Sequence, residues 1–159
     1  MDTYYRPTRA EISLDALRRN IQAFRRALPP GTKLLASVKA NAYGHGAAWT
    51  AREAVAAGAD MLGVAFLDEA VQLRRAGIEA PVLVLGYVPP EGFPVARELG
   101  VSIALFREDA LEAAAAGPGA KPLRVHIKVD TGMGRLGVLP GEEAVRFVER
   151  AMRTPGVEV

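Results

Sequence analysis

Short apolar runs alternate with longer amphipathic stretches along the chain. Apolar runs rich in β-branched residues predict strands at 33–39, 61–66, 81–88, 101–106, 123–130 and 156–159. Between them, apolar residues recur at helical spacing and predict helices at 47–59, 67–77, 92–99, 107–117 and 141–153. An earlier helix has one apolar stripe and leaves its arginines for a solvated face; the stripe contains Leu14, Leu17, Ile21, Phe24 and Leu28.

The order of these elements favours the α/β class. Strand followed by helix, repeated along the chain, argues for parallel strands covered by helices. Near-continuous apolar strands suit both an open doubly wound sheet and a closed (β/α)8 barrel, but no GxGxxG follows the first strand to favour the open sheet. A barrel needs about 250 residues. We therefore expect residues 1–159 to form about six of the eight strands of a TIM-type barrel, the rest being absent from this chain.

Local residue patterns also predict where helices begin and end. Thr50 followed by Glu53 fits a capping box near the start of the helix after the first strand. Gly58, Gly77 and Gly117 fit the residues that end helices. These signals agree with the boundaries that the hydrophobic pattern predicts.

Composition argues against several classes of function. The chain has 20 Lys and Arg against 18 Asp and Glu, and a net charge of +2 does not indicate a nucleic-acid-binding protein. It has no cysteine and only two histidines, so no metal site is expected. The polar N-terminus has no apolar signal core, and no run of about 20 apolar residues is present, so a cytoplasmic protein is expected.

Lys39 is the first candidate for chemistry. Alternation along 33–39 puts Leu35, Ser37 and Lys39 on one face, so Lys39 is predicted to enter the barrel at the carboxyl end of its strand, where barrel active sites gather. A partly desolvated lysine suits a Schiff base with a carbonyl or with pyridoxal phosphate (PLP), whereas a lysine that reaches water is the alternative. The following "NAYGHG" offers the Tyr43 phenol and backbone amides as a phosphate cradle.

The segment "VHIKVDTGMGRLG", residues 125–137, supplies further cations. His126, Lys128 and Asp130 share the face predicted to line the barrel, and Arg135 follows in a glycine-rich loop. Lys39, Lys128 and Arg135 near one opening would repel one another unless an anionic ligand or a modification offsets the charge. A phosphorylated cofactor with a carboxylate substrate would do so. The alternative is that Lys128 pairs with Asp130 or with an acidic residue of a neighbouring strand, and that the loop is a plain turn.

"SVKANAYGHG" and "HIKVDTGMGRLG", in this order, resemble the two signatures of alanine racemase, a fold type III PLP enzyme. The resemblance extends from "RAEISLDALRRNI" to the last residue and covers half or less of the family's length. It implies a homodimeric isomerase that interconverts L- and D-alanine and supplies D-alanine for peptidoglycan in the cell wall. It also implies that the end of the barrel and a C-terminal β domain are absent from this chain.

Roles follow from the resemblance residue by residue. Lys39 matches the lysine that carries PLP and acts as one base, and Tyr43 matches the tyrosine that contacts the cofactor phosphate. Arg135 matches the arginine that contacts the PLP phenolic oxygen and orients the substrate carboxylate. Lys128 matches a position that is often a carbamylated lysine (N6-carboxylysine), whose negative charge could hold Arg135. Four other residues are read as structural: His45, His126, Asp130 and Met133.

The family's second base, a tyrosine from the partner subunit's C-terminal domain, has no counterpart in this chain. Racemisation needs a base on each face of the substrate Cα, so the chain alone is expected to be inactive. Two alternatives stay open. One is a related racemase that acts on serine or lysine, and the other is a non-catalytic PLP-binding or PLP-homeostasis barrel protein.

Overall fold

The computed structural model describes residues 5, 7–117 and 121–159. Within them, six strands form one parallel sheet whose spatial order is the order of the chain. The strands are β1 (Leu35–Ser37), β2 (Met61–Val64), β3 (Val82–Val84), β4 (Ser102–Leu105), β5 (Leu123–Ile127) and β6 (Val157–Glu158). The predicted α/β class is confirmed, and this strand order is that of a partial β/α barrel. Each strand is shorter than its apolar run.

Helices connect consecutive strands, as the pattern predicts, and one further helix precedes β1. They are α1 (Leu14–Ala27), α2 (Ala47–Ala56), α3 (Leu67–Arg75), α4 (Phe93–Glu98), α5 (Glu108–Ala116) and α6 (Glu142–Arg153), with a short 3₁₀ turn at Pro90–Gly92. Gly58 and Gly77 follow α2 and α3 with φ of 109° and 76°, which only glycine adopts easily. No helix in the described ranges is both long and apolar enough to cross a membrane.

The core lies between the outer face of the sheet and the helices. Strand aliphatic residues such as Leu62 and Ile103 are buried against helix residues such as Leu73 and Phe147. Strand β5 shows the predicted alternation, because Leu123 and Val125 are buried whereas Arg124 and His126 are exposed on the other face. One face of β5 is therefore buried against the core, and the other is open to solvent.

The prediction for α1 was only partly right. The helix forms and Ser13 caps it by accepting a hydrogen bond from the amide of Ala16, but Phe24 is 63% exposed and no α1 residue is buried. Its arginines are not a purely solvated face. Arg18 bonds to Glu53 of α2, and Arg25 bonds to the carbonyl of Gly58 and to Asp60, so these cations fasten α1 to the rest of the fold.

The predicted capping box at Thr50 is wrong. Helix α2 begins at Ala47, so Thr50 lies inside it, 8% exposed, and Glu53 instead pairs with Arg18. The side-chain oxygen of Asn41 accepts a 2.8 Å hydrogen bond from the Ala47 amide and caps the helix from the preceding turn. The helix start is thus set by the motif that follows Lys39.

Candidate functional site

Lys39 and Arg135 line the same cleft. Lys39 comes two residues after the end of β1, and Arg135 lies in the loop that follows β5. The cleft has a volume of ≈ 230 Å³ and is completed by Ala65, Phe66, Leu85, Gly86, Tyr87 and Leu136. These residues follow the carboxyl ends of β2, β3 and β5, so the cleft lies at the end of the sheet where barrel active sites gather.

The residues after Lys39 form a left-handed turn. Ala40, Asn41, Ala42 and Tyr43 have φ between 51° and 54°, although none of them is glycine. Left-handed helical backbone costs L-residues about 1–2 kcal/mol each, so the surrounding structure must hold the turn in place. This segment was predicted to be a loop, and no residue type in it predicts four consecutive left-handed residues.

The predicted phosphate cradle in "NAYGHG" is wrong for the amides at its centre. The amide of Gly44 bonds to the carbonyls of Ala40 and Asn41, that of His45 to Ala42, and that of Gly46 to Asn41. The Ala47 amide is taken by the Asn41 side chain. These amides close the turn on itself and are not free to bind an anion. The ring of His45 also bonds to the carbonyl of Ala42, which supports its structural interpretation.

Tyr43 lies on a different cleft from Lys39. Its side chain is 62% exposed, and its hydroxyl is 3.4 Å from the hydroxyl of Ser37. This second cleft, of ≈ 370 Å³, lies between the turn and the start of α1 and is also lined by His45 and Thr50. Ser37 is the last residue of β1 and Lys39 follows two residues later, so each cleft has a lining residue at the carboxyl end of β1.

Lys128 lies beyond the end of β5 and is half-buried. Its amide bonds to the carbonyl of Leu105, which continues the pairing of β5 with β4. Among the described residues Lys128 forms no ion pair with Asp130, whose Oδ1 accepts hydrogen bonds from the amides of Gly132 and Gly134. Lys128 is not among the residues that line the Lys39 cleft within the described part of the chain.

Asp130 organises the loop that carries Arg135. Its carboxylate accepts hydrogen bonds from the amides of Gly134 at 3.0 Å and Gly132 at 3.1 Å, and these hold the pKa of Asp130 below its usual range. Gly137 closes the loop tightly, because a Cβ there would lie 2.5 Å from the Asp130 amide nitrogen. The structural interpretation of Asp130 fits this geometry. Met133, also read as structural, is 73% exposed at the tip of the loop.

Glu69 is a residue that the sequence analysis missed. One of its carboxylate oxygens accepts a 2.6 Å hydrogen bond from the amide of Ala40, and the other accepts from Ala65 and Phe66. Its place as the third residue of α3 could have indicated a helix-capping glutamate. Its contact with Ala40 could not be predicted, because the two residues are 29 positions apart.

The residues of the Lys39 cleft fit PLP. Of the residues that the structure describes, those lining this cleft include a primary amine and a guanidinium but no carboxylate, so it suits a ligand with a carbonyl and an anionic oxygen. The apolar walls of Ala65, Leu85 and Leu136 suit a flat ring.

The fold and the cleft define a β/α-barrel protein with a lysine-bearing cationic site at the carboxyl ends of its strands. Residues 12–159 match the family model described as alanine racemase, N-terminal domain. The chain therefore belongs to the alanine racemase family.

Relatives and solved structures agree with this assignment. The chain is 50% identical over 156 residues to alanine racemase of Geobacillus kaustophilus and 45% identical over 152 residues to alanine racemase 1 of Bacillus subtilis. It covers 41% and 39% of those proteins, and they cover 98% and 96% of this chain. A crystal structure of alanine racemase from Bacillus anthracis with bound L-Ala-P superposes with a TM-score of 0.90 at 40% identity, over 99% of this chain and 41% of that one.

Proposed function

We propose that this chain is part of a PLP-dependent racemase that interconverts L- and D-alanine in the cytoplasm and supplies D-alanine for peptidoglycan. The observation that carries the proposal is that Lys39 and Arg135 line one cleft at the carboxyl ends of the strands. The names of the similar proteins support it, and so does the L-Ala-P bound to the Bacillus anthracis enzyme. Two alternatives are tested against this proposal. One is a racemase specific for serine or lysine, and the other is a protein that binds PLP without catalysis.

Each side chain has a proposed task. When bound, PLP withdraws electrons from the substrate Cα and so makes the Cα proton removable. The Lys39 amine would hold the cofactor at its carbonyl, and the same amine, freed when the substrate amine takes its place there, would move a proton at one face of Cα. Arg135 donates hydrogen bonds to the cofactor's anionic ring oxygen and orients the substrate carboxylate. The Tyr43 hydroxyl, which lies beside the Ser37 hydroxyl on the other cleft, would donate to a cofactor phosphate that extends from the Lys39 cleft toward it.

The second base is proposed to come from outside this chain. Racemisation requires proton transfer at both faces of Cα, and Lys39 serves one face. The chain spans about 41% of the length of the Geobacillus kaustophilus relative that it matches. We therefore expect the complete site to form in a homodimer in which residues beyond this chain supply the other base, and the 159-residue chain alone to be inactive.

Lys128 is proposed to be carbamylated. Lys39, Lys128 and Arg135 all lie at the ends of β1 and β5, where a third positive charge would oppose the other two. A carbamate on Lys128 would replace that repulsion by attraction to Arg135. Mass spectrometry of the protein under bicarbonate, with Lys128→Ala as the control, tests for the added carboxyl group.

Cofactor absorbance and turnover test the function together. The protein that carries this chain should gain a visible absorbance with PLP, and Lys39→Ala should lose it. Lys33→Ala is the matched control, because Lys33 is an exposed lysine just before the same strand. A coupled assay with D-amino-acid oxidase should detect D-alanine from L-alanine but little product from L-serine or L-lysine.

The possible results separate the alternatives. Absorbance without turnover of any amino acid would indicate a PLP-binding protein, and faster turnover of serine or lysine would indicate the related racemases. Retention of the absorbance in Lys39→Ala would contradict the assigned role of Lys39.

A further inference from the structure

The Glu69 carboxylate joins the two backbone segments beside the Lys39 cleft. Its Oε1 accepts a 2.6 Å hydrogen bond from the amide of Ala40, the residue directly after Lys39. Its Oε2 accepts from the amides of Ala65 at 2.6 Å and Phe66 at 3.1 Å, and both of these residues line the cleft. One side chain therefore fixes the backbone next to the lysine and also one wall of the cleft.

Helix capping does not account for this arrangement. A glutamate at the third position of a helix bonds back to the residue that precedes the helix, and Glu69 does this through the amide of Phe66. The bond to Ala40 uses the other oxygen and reaches the end of a neighbouring strand. The amides at the start of α3 would keep their hydrogen bonds without this second contact. The contact therefore holds the end of β1 and the turn that follows it.

The left-handed turn needs such a contact. Bonds such as Ala42 amide to Val38 carbonyl, at 2.9 Å, tie the turn to its own neighbours in sequence. Glu69 acts from a distant element on Ala40, the first left-handed residue, whose φ is 51°. The peptide between Lys39 and Ala40 is shared by both residues. A rotation of Ala40 toward ordinary backbone would therefore redirect Lys39.

We propose that Glu69 is a positioning residue for Lys39. Glu69 directs the amine of Lys39 into the cleft that Lys39 and Arg135 both line. The inference rests on the proposed role of Lys39 as the residue that carries PLP. A carboxylate suits this task because it has acceptors only, and three N–H groups converge on its two oxygens. A glutamine amide would turn an NH₂ group toward at least one of those donors.

Glu69→Gln in the protein that carries this chain tests the proposal, and Glu53→Gln is the matched control. Glu53 is also a half-buried helical glutamate bonded to another element, but its partner is Arg18 of α1. Two properties are measured besides turnover. One is the rate at which PLP absorbance develops when apo-protein is mixed with PLP, and the other is hydrogen exchange of the segment 38–46.

Glu69→Gln should slow the reaction of Lys39 with PLP about tenfold or more and lower kcat by a similar factor, because loss of a charge-assisted bond displaces a reacting group. KM for alanine should change less than about twofold, since substrate contacts by Arg135 are retained. The rate of hydrogen exchange in residues 38–46 should rise. Glu53→Gln should leave all of these values close to those of the parent, even if its midpoint of thermal unfolding falls equally.

Three results would overturn the proposal in distinguishable ways. If Lys39→Ala abolishes the absorbance but Glu69→Gln reacts with PLP at the parent rate, the role of Glu69 is wrong and the proposed function stands. If the parent shows no absorbance that depends on Lys39, the proposed function fails and the role of Glu69 fails with it. A loss in Glu53→Gln equal to that in Glu69→Gln would also contradict positioning, because it would reflect general destabilisation.

Discussion

The carboxylate of Asp130 accepts a 3.0 Å hydrogen bond from the backbone amide of Gly134, the residue directly before Arg135. The same oxygen accepts a second bond, at 3.1 Å, from the amide of Gly132. Asp130→Ala removes both bonds, so Arg135 should be less well placed and kcat/KM for alanine should fall about tenfold. Asp130→Asn keeps a side-chain oxygen as acceptor, so its kcat/KM should fall less than that of Asp130→Ala. Steady-state kinetics measure both, and parent-like values in Asp130→Ala would contradict this role.

Asp60 should make the stability of the fold depend on acid pH. The amide of Leu34 and the guanidinium of Arg25 hold the pKa of Asp60 below its usual range. A carboxyl whose pKa is lower in the folded than in the unfolded state stabilises the fold above the unfolded value, about 3.9. This stability is lost as the pH falls through the lower, folded-state pKa.

Asp60→Asn should therefore lower the free energy of unfolding at neutral pH. Its difference from the parent should shrink below about pH 4 and then vanish. Urea unfolding across this range measures the difference, and Glu149→Gln, at an exposed position of α6, is the control. A difference that grows as the pH falls would show that Asp60 is not held by these contacts.

Gly86 should not tolerate a side chain. A Cβ at this position would lie 2.4 Å from the carbonyl oxygen of Ala65, and both residues line the Lys39 cleft. Gly86→Ala should lower the free energy of unfolding by about 1–3 kcal/mol and weaken PLP binding, because a backbone group must move. Gly117→Ala is the control, because its Cβ would lie 3.5 Å from the nearest atom, and it should change the free energy of unfolding little. Equal unfolding midpoints for both variants would refute the clash.

The sequence predicted the parallel fold and the meeting of Lys39 with Arg135 because both rest on short-range rules. Alternation decides which face of a strand a residue occupies, and parallel strands bring their carboxyl ends together. Residue type could not reveal the left-handed turn after Lys39, since alanine and tyrosine disfavour that conformation. The hydrogen bond between the Ala40 amide and Glu69 could not be predicted from the sequence either, because it depends on the pairing of β1 with β2.

Arg97 should matter for stability and not for the site. It is 6% exposed, and its guanidinium donates hydrogen bonds to the carbonyls of Ala114, Lys121 and Gly156, which precede β5 and β6. This is the amino-terminal end of the strands, away from the Lys39 cleft. Arg97→Met would remove these three bonds, of which the one to the carbonyl of Ala114 is buried, and should cost about 2–4 kcal/mol.

Thermal unfolding and PLP absorbance together check this separation. Arg97→Met should lower the unfolding midpoint while the folded protein keeps its absorbance with PLP. Arg146→Met is the control, since Arg146 forms an exposed pair with Glu142 and should contribute about 0–1 kcal/mol. A loss of PLP binding at temperatures where Arg97→Met remains folded would link Arg97 to the site.

Ala40→Gly should reverse the usual effect of an alanine-to-glycine change. Ala40 is exposed and has φ of 51° and ψ of 50°, so glycine would remove about 1–2 kcal/mol of left-handed strain. The greater freedom of glycine in the unfolded chain offsets about 0.4–1 kcal/mol of this gain. The free energy of unfolding should therefore rise slightly. Ala23→Gly, at an exposed position inside α1, should instead lower the free energy of unfolding by about 1 kcal/mol. Urea unfolding distinguishes the two signs, and equal losses would mean that Ala40 does not occupy the left-handed region in solution.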